Sequence, residues 1–222
     1  MDKFDKIYAR AAKRKGGADA VDAQLPTPKS PAALRKIKDD RWLSAMTKVI
    51  FQAGFVWKVV ENKWPAFEDA FHGFHPRRVA AMHDEELEAL MGNDAIIRNF
   101  AKIKSVPHNA RMICTLAHDH GSAAKFFANW PGDDIIGLYD FLKKNGQRLS
   151  GSSAQFLLRQ MGKDTFVFSK DVVRALIAQG IIDKDPKSKT ALASVQAAFN
   201  KWAEESGRPL SHISRVLAMS VD

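Results

Sequence analysis

From Arg41 onward the apolar residues recur at three- and four-residue steps, beginning with Trp42, Met46, Val49, Ile50, Ala53 and Trp57. That spacing lines one face of an α-helix, whereas a half-buried strand needs strict alternation. The step returns in Ile97, Phe100, Ile103, Val106, Ala110, Ile113 and Leu116, which predicts a long helix over 96–120 bent at Pro107. Further helices are expected after Pro65, over 76–82, behind the acidic turn Asp84-Glu85-Glu86 as far as Gly92, and over 123–130, 134–144, 188–205 and 211–221. No period-two run, internal repeat or low-complexity tract breaks the series, so the fold class is all-α. Residues 1–40 read as an N-terminal helix (Phe4, Ile7, Tyr8, Ala11, Ala12), a Gly16-Gly17 break and a Pro-rich arm packed on a helical domain spanning 41–222. Gly54 falls inside the first helix of that domain at a cost of about 1 kcal/mol against alanine, which implies a close backbone approach there.

The charge balance narrows the partners. The 222 residues carry 34 Lys and Arg against 25 Asp and Glu, a formal net charge of +9. Such an excess releases counterions from a polyphosphate, which puts nucleic acid first among partners. Part of it is concentrated in Lys143, Lys144, Arg148, Arg159, Lys163, Lys170 and Arg174, against Asp164 and Asp171. Cys114 is the single cysteine, so neither an internal disulfide nor a thiolate zinc cluster can form within the chain. The N-terminus has no signal-peptide core, and no apolar run approaches the roughly 18 residues a membrane span needs. The expectation is a cytoplasmic monomer with no membrane partner.

Within the basic stretch, Leu149-Ser150-Gly151-Ser152-Ser153 reads as a tight turn feeding a helix, with Ser152 or Ser153 as its N-cap and Gly162 at its end. Ser169 is placed to cap the next helix, which Gly180 closes. A small-residue turn at a helix start presents unpaired amides and the positive end of the helix dipole to a phosphate. Leu149, Gly151, Ser152, Ser153 and Lys170 are therefore the candidate backbone-binding residues for DNA. His118 and His120 stand two apart, which does not place both on one helix face, and His72 and His75 lie near a helix end, so neither pair is expected to bind metal. Neither a Gly-x-x-x-x-Gly-Lys loop nor a Gly-x-Ser-x-Gly elbow occurs. Nucleotide hydrolysis and serine-esterase chemistry have no support.

Leu149-Ser150-Gly151-Ser152-Ser153 also resembles the Leu-Pro-Gly-Val-Gly hairpin of the helix-hairpin-helix DNA glycosylase superfamily, and the segment Phe166 to Arg174 resembles its Val-Pro-Val-Asp-Thr-His-Val-x-Arg motif. Upstream, Gln52-Ala53-Gly54-Phe55-Val56-Trp57 is similar to the Gln-Ala-Gly-Leu-Ser-Trp motif of 3-methyladenine DNA glycosylase I. Phe74-His75-Pro76, Val79-Ala80-Ala81-Met82, Ile96-Ile97-Arg98 with Lys102-Ile103, and Asn109-Ala110-Arg111 follow in that family's order. The resemblance covers roughly residues 42–182. It implies a helix-hairpin-helix bundle that acts in base excision repair on double-stranded DNA with a damaged base, hydrolysing the N-glycosidic bond of alkylated bases such as 3-methyladenine. It further implies a base pocket at Trp57, with Gln52, Phe55 and Phe51 beside it, and no required cofactor, a monovalent cation being the one group that hairpins of this superfamily often hold.

Three departures bear on the chemistry. Val49 stands where the family has a base-reading glutamate, Ser169 stands at the superfamily's catalytic aspartate position, and the family's terminal Cys and His zinc ligands are missing. Ser169, Asp171 and Glu61 remain the candidate catalytic groups. The competing expectation is a non-catalytic DNA-binding or lesion-sensing protein of the same fold.

Overall fold

The periodic stretch after Arg41 forms the helix Asp39–Gln52, and the carboxylates of Asp39 and Asp40 lie in its first turn, where they complement the helix dipole. The computed structural model describes residues 1–221, and among these no strand occurs. They divide into two compact units, a central one of Ser30–Asn129 and Tyr139–Met161, and a terminal one of Met1–Lys29, Trp130–Leu138 and the residues from Gly162 on. Among the described residues no helix is long and apolar enough to cross a membrane.

In the central unit, helix Asp39–Gln52 buries Trp42, Leu43, Met46, Val49, Ile50 and Phe51. It stops sooner than the apolar step suggests. Ala53 turns to extended geometry and Gly54 takes φ +79°, so the backbone leaves the helix and Trp57 opens a separate helix, Trp57–Asn62. The glycine serves this left-handed turn rather than a close approach, because a Cβ there would meet nothing within 4 Å. Helix Trp64–Ala70 follows with Pro65 in its first turn. It supplies Trp64 and Phe67 to an aromatic stack in which the Phe67 ring lies 4.6 Å from Phe51, 5.1 Å from Trp64 and 6.3 Å from Phe71.

The single long helix expected over 96–120 is two. Asn99 caps the short helix Phe100–Ile103 by accepting the Lys102 N–H at 3.1 Å, and Ser105–His120 begins after Lys104. Pro107 then falls in the first turn of the second helix, where an N–H has no intrahelical acceptor, and no bend is needed there.

Glu68 ties the base of this unit together. Its carboxylate accepts two bonds from the Arg41 guanidinium at 2.8 and 2.9 Å, one from Ser44 at 2.8 Å and one from the Trp64 indole at 3.2 Å. Burial alone would raise its pKa, but these donors outweigh burial and hold the carboxyl below its ordinary value. A carboxylate depressed on folding stabilises the fold above its unfolded pKa and loses that contribution as pH falls through the folded value. Urea midpoints measured across acidic pH are therefore expected to fall less steeply in Glu68→Gln than in the wild type.

In the terminal unit, Phe4, Ile7 and Ala11 of helix Phe4–Lys15 are buried, and the Trp202 indole donates to the Asp2 carbonyl at 3.0 Å. Phe199 stacks on Phe166 at 4.1 Å within the same core. Asp164 accepts the N–H groups of Leu210 and Ser211, each at 2.9 Å, and so closes the N-terminus of helix Leu210–Met219. Ser188 caps Lys189–Ser206 in the same way.

Candidate functional site

The hairpin lies in the central unit. Leu149 is buried, Ser150, Gly151 and Ser152 are exposed, and helix Ser152–Met161 begins directly behind them. Gly151 takes φ +55° and its carbonyl accepts the first helical N–H, from Gln155, at 3.5 Å. Gly151 is therefore the capping position, and Ser152 and Ser153 occupy the first two helical positions rather than the cap. The amides of Ser152, Ser153 and Ala154 precede any intrahelical bond and point out of the helix start. A Cβ on Gly151 would meet nothing within 4 Å, so the space before these amides is open.

The preceding turn is fixed from the long helix. Asn109 and Gln147 bond reciprocally, with the Asn109 amide donating to the Gln147 carbonyl at 3.1 Å and accepting the Gln147 N–H at 2.8 Å. His108 Nε2 pairs with the Asn145 carbonyl at 3.2 Å. Arg111 donates to the Ala80 carbonyl at 3.0 Å, at the end of helix Pro76–Ala80. The Asn109-Ala110-Arg111 motif thus acts as scaffold for the hairpin and a neighbouring helix end.

Beside the hairpin helix, the Gly54 turn brings Phe55, Val56, Trp57 and Val59 to the surface. Trp57 is 48% exposed and Phe55 is 41% exposed, so neither is a core aromatic despite the helical step. Phe156, 36% exposed on helix Ser152–Met161, meets Trp57 edge to face with ring centroids 5.8 Å apart. Sequence reasoning did not single out Phe156. Its signal was present, because Ala154, Leu157, Leu158 and Met161 form that helix's buried stripe and Phe156 falls off it. With Trp57, Phe156 extends the exposed apolar surface of the Gly54 turn, and contiguous apolar surface of this kind marks a contact site.

The other pocket candidates lie deeper. Phe51 is fully buried beneath the loop, and Gln52 is buried with its side-chain carbonyl accepting from Gln160 at 3.4 Å. Val49 is buried on the same helix. Glu61 is exposed, four residues beyond Trp57 and so on the same helix face.

Ser169, Lys170 and Asp171 belong to the terminal unit. The Ser169 hydroxyl caps helix Lys170–Ala178 by accepting the Val172 N–H at 3.2 Å. Lys170 is exposed, and Asp171 pairs with Arg174 at 3.5 Å one turn on. Among the described residues no group of three or more His, Cys, Asp or Glu side chains is arranged to hold a metal ion.

The sequence model of the methyladenine glycosylase family matches residues 35–187. The DNA-3-methyladenine glycosylase of Haemophilus influenzae is 37% identical over 60 residues, which are 27% of this chain and 32% of that protein. The match therefore spans about a third of the relative's length. The structure of 3-methyladenine DNA glycosylase I from Staphylococcus aureus aligns with a TM-score of 0.53 at 20% identity, covering 63% of this chain and 81% of that one. The 8-oxoguanine DNA glycosylase of Methanocaldococcus jannaschii aligns with a TM-score of 0.55 at 16% identity, over 94% of this chain and 90% of that one. These likenesses show a shared helical fold. With the family's sequence pattern running through the aromatic loop, the long helix and the hairpin, the chain belongs to the methyladenine glycosylase family.

Proposed function

We propose that the protein is a DNA glycosylase of base excision repair that hydrolyses the N-glycosidic bond of alkylated bases such as 3-methyladenine in double-stranded DNA. The observation that carries this reading is the half-exposed Trp57 set against Phe156 of the hairpin helix, which puts an aromatic platform beside an open cluster of helix-start amides. The amides of Ser152, Ser153 and Ala154 hold a backbone phosphate, and Lys170, exposed in the terminal unit, adds to the basic charge of the chain. Phe55 and Val56 offer apolar surface to the stack that a base vacates, and Trp57 receives the extruded base on its face. Water adds to the sugar carbon and gives up one proton to solvent, as the cationic base departs neutral with the electron pair of the glycosidic bond. The Ser169 hydroxyl is neutral and engaged as a cap, so the chemistry relies on a base that leaves readily, as an alkylated cationic base does. A cytoplasmic location, and a monovalent cation at the hairpin as the only added group, complete the proposal.

Liberation of 3-methyladenine from methylated duplex DNA, followed by chromatography, tests it directly. Val49 and the capped Ser169 favour one second reading, a lesion-sensing protein that binds and does not cut. Binding to methylated duplex without release of any base would establish that reading instead.

The hairpin's part is separable. Gly151→Asp is expected to weaken binding to all duplex sequences alike by about tenfold, because it adds a carboxylate where a phosphate approaches, and to flatten the salt dependence of affinity. Fluorescence-anisotropy titrations at several salt concentrations check this, and unchanged affinity would remove the hairpin from the account.

A further inference from the structure

Lysine is among the residue types least often buried, and taking its ammonium out of water is costly unless its protons find acceptors. Lys102 is 6% exposed in the central unit. Its Nζ donates to the Ala53 carbonyl at 2.6 Å and to the Phe51 carbonyl at 3.3 Å. It also lies 4.6 Å from the centroid of the Phe55 ring. The two carbonyls stand at the C-terminal end of helix Asp39–Gln52, where carbonyls lack intrahelical partners and the dipole is negative. Among the described residues no carboxylate pairs with Lys102. Burial first, and the positive charge of Arg148 second, pull its pKa below the ordinary lysine value.

An apolar side chain would fill this space without the desolvation cost. What the ammonium adds is a simultaneous grip on the helix end, on the first residue of the Gly54 turn and on the face of Phe55. The neighbouring residue faces the other way along the chain of contacts. Arg148, immediately before the hairpin and held at φ +62°, donates Nε to the Ala101 carbonyl at 3.1 Å. Consecutive residues of the short helix Phe100–Ile103 are thus bonded on one side to the hairpin's approach and on the other to the aromatic loop.

We propose that Lys102 is a positioning residue that locks the Ala53–Trp57 loop to the hairpin, so that the aromatic platform and the phosphate-binding amides keep a fixed spacing. What meets the platform rests on the glycosylase reading above; the locking of the loop does not.

The test compares Lys102→Met, Lys102→Gln and Lys102→Arg in the full chain. Without DNA, chymotrypsin is expected to cut after Phe55 or Trp57 about tenfold faster in the Met variant, with the remaining sites cut at the wild-type rate. Gln keeps a donor and is expected to fall between, which preserves the test if the Met variant does not fold, and Arg is expected to restore the wild-type pattern. In single-turnover assays on methylated duplex, the Met variant is expected to release base about tenfold more slowly at saturating DNA, with the half-saturating DNA concentration nearly unchanged. Introduced into Phe55→Ala, Lys102→Met is expected to add less than its effect alone, because both changes loosen one loop. Wild-type cleavage at the loop in both the Met and Gln variants would overturn the proposal, as would acceleration shared equally by every site. If the wild type releases no base but the loop cleavage changes as expected, the glycosylase reading falls and the positioning role stands.

Discussion

Trp57→Ala is expected to slow base release by roughly 5- to 150-fold, the equivalent of the 1–3 kcal/mol that stacking of one base on an aromatic ring supplies. Duplex affinity is expected to stay within about threefold, because phosphate contacts and not stacking dominate non-specific binding. The structure makes this substitution a clean experiment. Trp57 is half exposed, so its removal opens no core cavity and the melting temperature is expected to stay close to that of the wild type. Single-turnover release from methylated duplex, beside binding to a duplex carrying an abasic analogue, separates the two effects. Trp57→Phe keeps a smaller π-face and is expected to recover part of the rate. Release unchanged in Trp57→Ala would show that the extruded base is held elsewhere.

The largest effect on stability is expected from Phe67→Ala. The Phe67 ring is fully buried and touches the rings of Phe51, Trp64 and Phe71, so truncation leaves a cavity that these three aromatic side chains cannot collapse around. A cost of about 3–5 kcal/mol is expected, and with it a fall in melting temperature of roughly 6–20 °C. Because Phe51 is the residue whose carbonyl Lys102 also grips, the loss is expected to reach the Gly54 turn and accelerate its proteolysis as well. Scanning calorimetry with loop-specific proteolysis checks both expectations. A variant that melts with the wild type would show that the aromatic stack is not the central unit's main support.

The two variants probe residues that look alike in the sequence. Trp57 and Phe67 are both aromatics at helical spacing, and periodicity assigns both to a core. What separates them is a backbone dihedral at Gly54, which sends one to the surface and leaves the other inside. Periodicity registers which residues share a face only while the helix continues, so it carried the apolar step past the true end at Gln52. The cap at Ser169 was more legible, since it sits where a hydroxyl residue precedes an apolar stripe, whereas Ser188 reads as the first residue of its helix and is in fact its cap. The hairpin was legible as a turn, although the capping role passed from the serines to Gly151 because its carbonyl already closes the first helical bond. The buried role of Lys102, which the sequence shows only as part of a motif, and the exposed position of Phe156 are illegible for opposite reasons. A lysine in an apolar run reads as a snorkelling surface residue until its acceptors are seen, and a phenylalanine reads as core until the buried stripe is drawn without it. The composition of the terminal unit, in which Asp2 meets Trp202, depends on contacts 200 residues apart that no local pattern records.

The cap at Ser169 carries an implication for how this family's chemistry can drift. Aspartate and serine are near equals as helix N-caps, since either side-chain oxygen can accept the amide that Val172 presents. The folding requirement at position 169 is therefore indifferent to whether the residue is neutral or anionic. An exchange of serine for aspartate there would add a carboxylate without rebuilding the helix that holds it.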